Sequence, residues 1–291
     1  MAEYKAPLRD MRFVLTELFD FNDINQMPGC EDFTPDVVDA VLEEAAKVCE
    51  EVLYPINRSG DEEGCHWDDG VVTTPKGFKE AYKTFAEGGW TGIACDPTYG
   101  GQGAPKSINA LVEEMICSTN LSFGMYPGLS FGAYAALHSH ASDTLKDKFL
   151  PKMVEGTWAG TMCLTEPHCG TDLGIIKSKA DPLDDGSYAI TGTKIFISAG
   201  EHDLTENIIH LVLAKLPDAP KGTKGISLFL VPKFMVGDDG SLGNRNAVKC
   251  GSIEHKMGIK ASSTCVMNFD GAVGYLVGEP HQGMPAMFTM M

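Results

Sequence analysis

The hydrophobic periodicity of this chain changes character near Trp158, and that change restricts the fold more than any other feature. Before it, apolar residues recur at helical spacing. Thr34 reads as an N-cap with Pro35 at the first helical position, and Val37, Val38, Val41, Leu42, Ala45, Val48, Val52 and Leu53 line one helix face until Pro55. Further helical patterns cover 76–87, 106–119, 129–138 and 142–154, punctuated by Gly88-Gly89, the Gly-rich run at 99–103 and Pro127-Gly128. Short connections between them imply a helical bundle. After Trp158 the pattern becomes short β-type runs at 160–164, 187–191, 194–197, 208–214, 226–231, 253–255 and 265–269, with Asp184-Asp185-Gly186 and Asp238-Asp239-Gly240 as turns. Helices first and strands afterwards predict an α+β fold of two packed domains and disfavour the alternating βαβ units of a Rossmann fold.

Composition excludes several classes. The 291 residues carry a net charge of -17, which repels phosphate backbones and argues against nucleic-acid binding. A 43% hydrophobic content is enough for a core and argues against disorder. The longest apolar runs, 208–213 and 226–231, stop at strand length, so no membrane span is expected. Residues 1–14 include Glu3, Lys5, Arg9, Asp10 and Arg12 with no apolar h-region, so no secretory signal is read and a cytoplasmic location is expected. Nine cysteines without a C-x-x-C pair favour neither structural zinc nor a disulfide framework. His138 and His140, two apart, read as surface or packing residues, and no metal site is expected. The last ten residues, 282–291, resemble the first turns of a helix cut short; the alternative, a frayed terminus, would leave Met287, Phe288, Met290 and Met291 as an exposed, aggregation-prone cluster.

Two stretches carry candidate chemistry. The first, Cys163-Leu164-Thr165-Glu166-Pro167-His168-Cys169-Gly170-Thr171-Asp172, comes directly after a strand and offers backbone N–H groups and hydroxyls where a phosphate or a heteroaromatic edge can dock. The plain reading is a Pro/Gly turn with Asp172 capping the segment after it. The second, Lys194-Ile195-Phe196-Ile197-Ser198-Ala199-Gly200, places Phe196 and Ser198 on one strand face about 7 Å apart, a spacing that suits a flat ring with a polar atom. Its plain reading is a core Phe at the end of a strand.

Taken together these motifs resemble the acyl-CoA dehydrogenase family. Asp96-Pro97-Thr98-Tyr99-Gly100-Gly101-Gln102-Gly103 is similar to its P-x-x-x-G-G-x-G loop, and Leu164 to Asp172 to its T-E-P-x-x-G-S-D signature. Glu254-His255-Lys256-Met257-Gly258-Ile259-Lys260-Ala261-Ser262-Ser263-Thr264 is similar to its E-x-K-x-G-x-x-x-S-x-T segment, and Gly278-Glu279 comes next as in the family. The long start, with Tyr4 to Phe13, and the run from Gly283-Met284 to Met291 look most like the branch that includes 3-methylmercaptopropionyl-CoA dehydrogenases.

The resemblance implies an N-terminal extension over 1–33, a helical domain over 34–157, a middle β-domain over 158–277 and, at 278–291, the start of a C-terminal helical domain that is otherwise missing. It implies FAD as cofactor, with Leu164 and Thr165 at the flavin's pyrimidine edge, Gly170 and Thr171 at the pyrophosphate, Phe196 over the ring system, and Ile197 and Ser198 near N5. Gly170 is expected because a side chain there keeps backbone away from phosphates. Thr171, Met125 and Tyr126 are the implied substrate contacts, the last two setting acyl depth, with core packing as their alternative. The implied reaction is α,β-dehydrogenation of an acyl-CoA, with an electron-transferring flavoprotein as acceptor and a homo-oligomer as assembly. The implied base is a Glu beyond Met291, so no catalytic residue is assigned, and Glu166 is read as serving the loop's own structure. Alternatives are an acyl-CoA oxidase, a DNA-binding alkylation-response flavoprotein, and an inactive fragment. Residues 1–291 expressed alone are expected to be poorly soluble; a monodisperse monomer in light scattering contradicts this.

Overall fold

The computed structural model describes residues 3–291. Its first half is helical: Leu8–Phe13 (α1, prolonged by a wider turn at Val14–Leu18), Asn22–Asn25 (α2), Pro35–Lys47 (α3), Asn57–Glu63 (α4), Phe78–Glu87 (α5), Lys106–His140 (α6) and Asp143–Glu155 (α7). Thr34 Oγ1 accepts from the Val37 N–H at 3.5 Å at the start of α3, and the helix continues as a π-type turn over Val48–Leu53. Leu42, Ala45, Cys49 and Leu53 on its inner face meet Phe78, Phe85 and Phe123 in one apolar core. A hairpin of His66–Asp68 (β1) and Val71–Thr73 (β2) was not expected; three-residue strands are too short to show a period.

α6 differs most from expectation. The two helices predicted over 106–119 and 129–138 are one 35-residue run interrupted only at Asn120, where φ is -154° and ψ 85°. The Asn120 side chain explains the place of the break: its Oδ1 accepts from Phe123 N–H at 3.1 Å, restarting the helix, and its Nδ2 donates to Leu53 O at 3.1 Å. Pro127-Gly128 therefore lies inside the helix, not between two. Long as α6 is, no helix among the described residues is long and apolar enough to cross a membrane. His138 bonds Asp96 at 3.1 Å and stacks on Tyr134, whose hydroxyl accepts from Asp96 N–H at 2.8 Å. These contacts anchor the Gly-rich loop, in which a Cβ on Gly101 would lie 2.1 Å from Cys95 O.

The second half comprises Trp158–Cys163 (β3), Lys179–Pro182 (β4), Tyr188–Ser198 (β5), Asn207–Lys215 (β6), Ile226–Pro232 (β7), Phe234–Val236 (β8), Leu242–Arg245 (β9), Val248–Ile253 (β10), Thr264–Val277 (β11) and a closing helix, Gly283–Met290 (α8). Seven strands form a sheet in the order β10-β11-β5-β4-β6-β3, and β7 pairs with both β11 and β6, which curls it on itself. The expected strands at 187–191 and 194–197 are one strand, 253–255 gives way to β10, and 265–269 runs on to Val277 through a bulge at Gly271. β4 and the β8–β9 hairpin escaped the pattern, although the two Asp-Asp-Gly turns do connect β4 to β5 and β8 to β9. Met287 is fully buried, whereas Phe288 and Met291 are exposed. β3 lies against α6: Gly160 N–H donates to Ser130 Oγ at 3.0 Å, and a Cβ on Gly160 would sit 2.4 Å from that of Ala133.

The β-domain interior holds an unusual polar group. Glu201 pairs with Lys233 and, at 2.8 Å, with Arg245. His202 and His210 are both buried beside it; neither ring nitrogen of His210 has a hydrogen-bond partner among the described residues. Burial first, and the Lys233 charge second, push both imidazoles down to about 3. The unfolded chain takes up these protons near pH 6.5 and the folded chain does not. Stability is thus intact above pH 6.5 and falls as pH drops toward 3, by up to about 1.4 kcal/mol per pH unit for each histidine. His210→Leu is expected to reduce the pH dependence of the unfolding free energy between pH 6 and 4 by about one proton; an unchanged slope in urea titrations contradicts the assignment.

Candidate functional site

β3 feeds into the loop that begins at Leu164. There Glu166 and Cys169 bond each other's backbone in both directions, Glu166 N–H to Cys169 O at 2.9 Å and Cys169 N–H to Glu166 O at 3.0 Å, closing a tight turn. The Glu166 side chain points inward and is almost fully buried. It accepts from Lys177 N–H at 2.7 Å, Ser178 N–H at 3.0 Å and Lys194 Nζ at 2.9 Å. Burial alone would raise its pKa; the Lys194 charge and these hydrogen bonds outweigh that and hold it at about 2. Lys194 has no exposed side-chain surface, and burial draws its pKa down against the opposing charge of Glu166. With both oxygens engaged and ionised, Glu166 is a structural anion, in agreement with its reading as part of the loop's framework.

Glu166, His168 and Cys169 bring three potential metal-ligand atoms within 4.8 Å of one another. Both Glu166 oxygens already accept from within the fold and His168 Nε2 donates to Ile175 O at 3.0 Å, so these groups brace the loop. Asp172 Oδ1 accepts from Gly174 N–H at 3.0 Å, capping the turn Leu173–Ile175 as the plain reading expected.

Cross-links then bring the second stretch alongside the first. Lys194 Nζ also donates to Leu164 O at 3.0 Å, Ile195 N–H to Thr165 O at 2.9 Å, and Thr161 Oγ1 to Ser198 O at 2.5 Å. Leu164, Thr165, Phe196, Ile197 and Ser198 are thereby neighbours although thirty residues separate them in sequence. β5 is bulged here: Cys265 faces Ile197 but Met267 faces Lys194, so one strand spans three residues where the other spans two. Lys194 and Ile197 are consequently both buried, while Phe196 is exposed and Ser198 half-buried. Phe196 adopts a left-handed backbone (φ 59°) and is 59% exposed. Ile197 is packed in the core, which leaves only its backbone for a ligand. Gly170 and Thr171 are exposed at the loop's rim. Gly170 has an ordinary φ, and a Cβ there would press on the Thr165 side chain at 3.3 Å; the constraint on Gly170 is this neighbour as much as any phosphate.

The two acyl-depth candidates part company. Tyr126 is fully buried; its hydroxyl donates to Ala261 O at 2.9 Å and accepts from Ser263 N–H at 3.1 Å, and its ring meets His202 edge-on. It joins α6 to the β-domain and has no access to a substrate. Met125, one residue away, lines a cleft of about 570 Å³ beside α8, together with Gly128, Phe131 and Met290. Sequence reasoning passed over Lys194 as a functional residue. Its signal was a lone charge inside an apolar strand, which demands a buried counter-charge, and Glu166 was the acid of the neighbouring motif.

Residues 36–157 match the domain described as acyl-CoA dehydrogenase, N-terminal domain, and residues 161–272 that described as acyl-CoA dehydrogenase, middle domain. The chain is 45% identical to 3-methylmercaptopropionyl-CoA dehydrogenase of Ruegeria pomeroyi and 41% identical to a butyryl-CoA dehydrogenase of Syntrophomonas wolfei, in each case over 99% of this chain and 49% of the relative. It thus spans about half the length of the curated relatives it matches. The solved butyryl-CoA dehydrogenase of Megasphaera elsdenii superposes with a TM-score of 0.71 at 26% identity, over 88% of this chain and 62% of that one.

Tyr126→Phe removes the hydroxyl that accepts from the Ser263 N–H in this buried contact, whereas Ala261 O keeps the Cys65 thiol at 3.2 Å. A loss of about 1–3 kcal/mol is expected. An unchanged urea midpoint would refute the role given to this hydroxyl.

Proposed function

Starting from a chain that belongs to the acyl-CoA dehydrogenase family and carries its N-terminal and middle domains, we propose that the whole protein is an FAD-dependent enzyme that introduces an α,β double bond into an acyl-CoA thioester. The observation that carries this reading is the strand end at Leu164–Thr165 beside the Phe196 bulge. Both carbonyls of that end are taken up inside the fold, by Lys194 Nζ and Ile195 N–H, so its outward offer is weighted toward donors, including the Thr165 hydroxyl. An exposed aromatic ring, Phe196, stands next to it. Donors beside an apolar plane fit a pyrimidine edge, whose polar atoms are mostly acceptors, attached to a flat ring system.

In this reading Leu164 and Thr165 hold the pyrimidine edge, Phe196 covers the ring, the Ile197 backbone and Ser198 border the N5 side, and Gly170 and Thr171 approach the pyrophosphate, with Thr171 also near the substrate. Bound FAD supplies the hydride acceptor. The β-domain's contribution is to orient that ring and exclude water behind it. The family resemblance implies a general base in the part of the whole protein outside this chain, and the acid within the loop, Glu166, being ionised, buried and hydrogen-bonded through both oxygens, is suited to a framework role instead. The helical half contributes the cleft at Met125, where chain length is limited. The names of the relatives at 45% and 41% identity favour a short acyl group, with 3-methylmercaptopropionyl-CoA first and butyryl-CoA second. We infer on family grounds that an electron-transferring flavoprotein accepts the electrons and that the whole protein is a homo-oligomer, and from the charged start of the sequence that it works in the cytoplasm.

The whole protein reconstituted with FAD is expected to lose its visible flavin absorption when titrated anaerobically with one of these thioesters. Retention of the full absorption with short, branched and sulfur-containing acyl-CoAs alike would remove the proposal.

A further inference from the structure

Lys194 is the most deeply buried charged side chain of the described residues, and it does more than neutralise Glu166. Its ammonium donates at 2.9 Å to Glu166 Oε1 and at 3.0 Å to the carbonyl oxygen of Leu164. The adjacent Ile195 N–H takes the next carbonyl, that of Thr165, at 2.9 Å. Two successive residues of β5 therefore grip two successive carbonyls of the loop. A trans peptide is planar, with its C=O and N–H pointing in opposite directions. Fixing Leu164 O toward the interior must turn the Thr165 N–H outward, to the side on which the half-buried Thr165 side chain and the exposed Phe196 ring lie.

We propose that Lys194 is a positioning residue that, through the Leu164 carbonyl, aims the Thr165 N–H as a hydrogen-bond donor at the pyrimidine edge of the bound flavin; this rests on the FAD reading given above. Glu166 has a separate task. It holds Lys194 ionised within the fold and ties the far end of the loop through Lys177 and Ser178. The two partners are thus separable: a methionine–glutamine pair of similar shape removes the stranded charge, and the methionine has no donor to replace the ammonium at Leu164 O.

The test compares the whole wild-type protein with K194M and with the double variant K194M/E166Q, reading the melting temperature of the apoprotein and the dissociation constant for FAD. K194M is expected to lower both stability and affinity, because it strands a buried carboxylate. The double variant is expected to recover part of the melting temperature lost by K194M, since an amide at position 166 can still accept from one of the Lys177 and Ser178 N–H groups, while its FAD affinity stays about tenfold or more below wild type, the effect of losing roughly one hydrogen bond of positioning. A double variant that binds FAD as the wild type does overturns the proposal and leaves Lys194 a packing residue. Should the double variant not fold, hydrogen exchange at the Thr165 amide of the native protein decides: slowing on addition of FAD supports the donor role, and unchanged exchange overturns it. Wild-type protein that binds no FAD would instead sink the cofactor reading on which the inference stands.

Discussion

The pairing of Glu166 with Lys194 is the constraint around which the β-domain's candidate site is arranged. A lone carboxylate or ammonium at such depth is strongly disfavoured, so each residue makes the position of the other obligatory. Glu166 draws in the backbone at Lys177 and Ser178, and Lys194 draws in the carbonyl of Leu164. Three segments far apart in sequence, the turn after β3, the approach to β4 and the middle of β5, are thereby fixed at one point. The outward side of that point is the surface proposed to face the ligand. Its donor-rich character stems from the inward direction of the carbonyls and needs no further residue to explain it.

How far the sequence could be read depended on whether a feature had a local cause. The cap at Thr34, the Asp-Asp-Gly turns and the shift from helical to strand periodicity act over a few residues, and each is visible without tertiary information. The continuity of α6 is different: Pro127-Gly128 signals a stop, yet the break lies at Asn120, whose amide reaches Leu53, 67 residues away. β4 is four residues long and finds its place only through β5 and β6, so it left no period to detect. At the candidate site the two stretches were recognisable as motifs. Which side chains face outward was not, because the bulge in β5 breaks simple alternation between Lys194 and Ile197. Met125 and Tyr126 show the same limit on a helix. Neighbouring positions differ in direction by about 100°, so one of the two can face a cleft while the other faces the core, and spacing alone does not say which.

Phe196 ties the energetic and functional arguments together. A non-glycine residue at φ 59° costs on the order of 1–3 kcal/mol, and a large aromatic side chain left 59% exposed recovers little of that by burial. Ala199, three residues on, is also left-handed at φ 54°. Such a segment persists only if its ends are over-determined, and they are. Ile195 N–H is held by Thr165 O on one side and Ala199 N–H by Ser263 O on the other, with Lys194 and Ile197 buried between. The bulge that turns the ring outward is also what lets both Lys194 and Ile197 face inward, so the exposed aromatic accompanies the burial of its two neighbours. The strained, pinned and exposed aromatic fits the planar cofactor proposed for this surface, and the donors that Lys194 is proposed to set beside it fit that cofactor's edge.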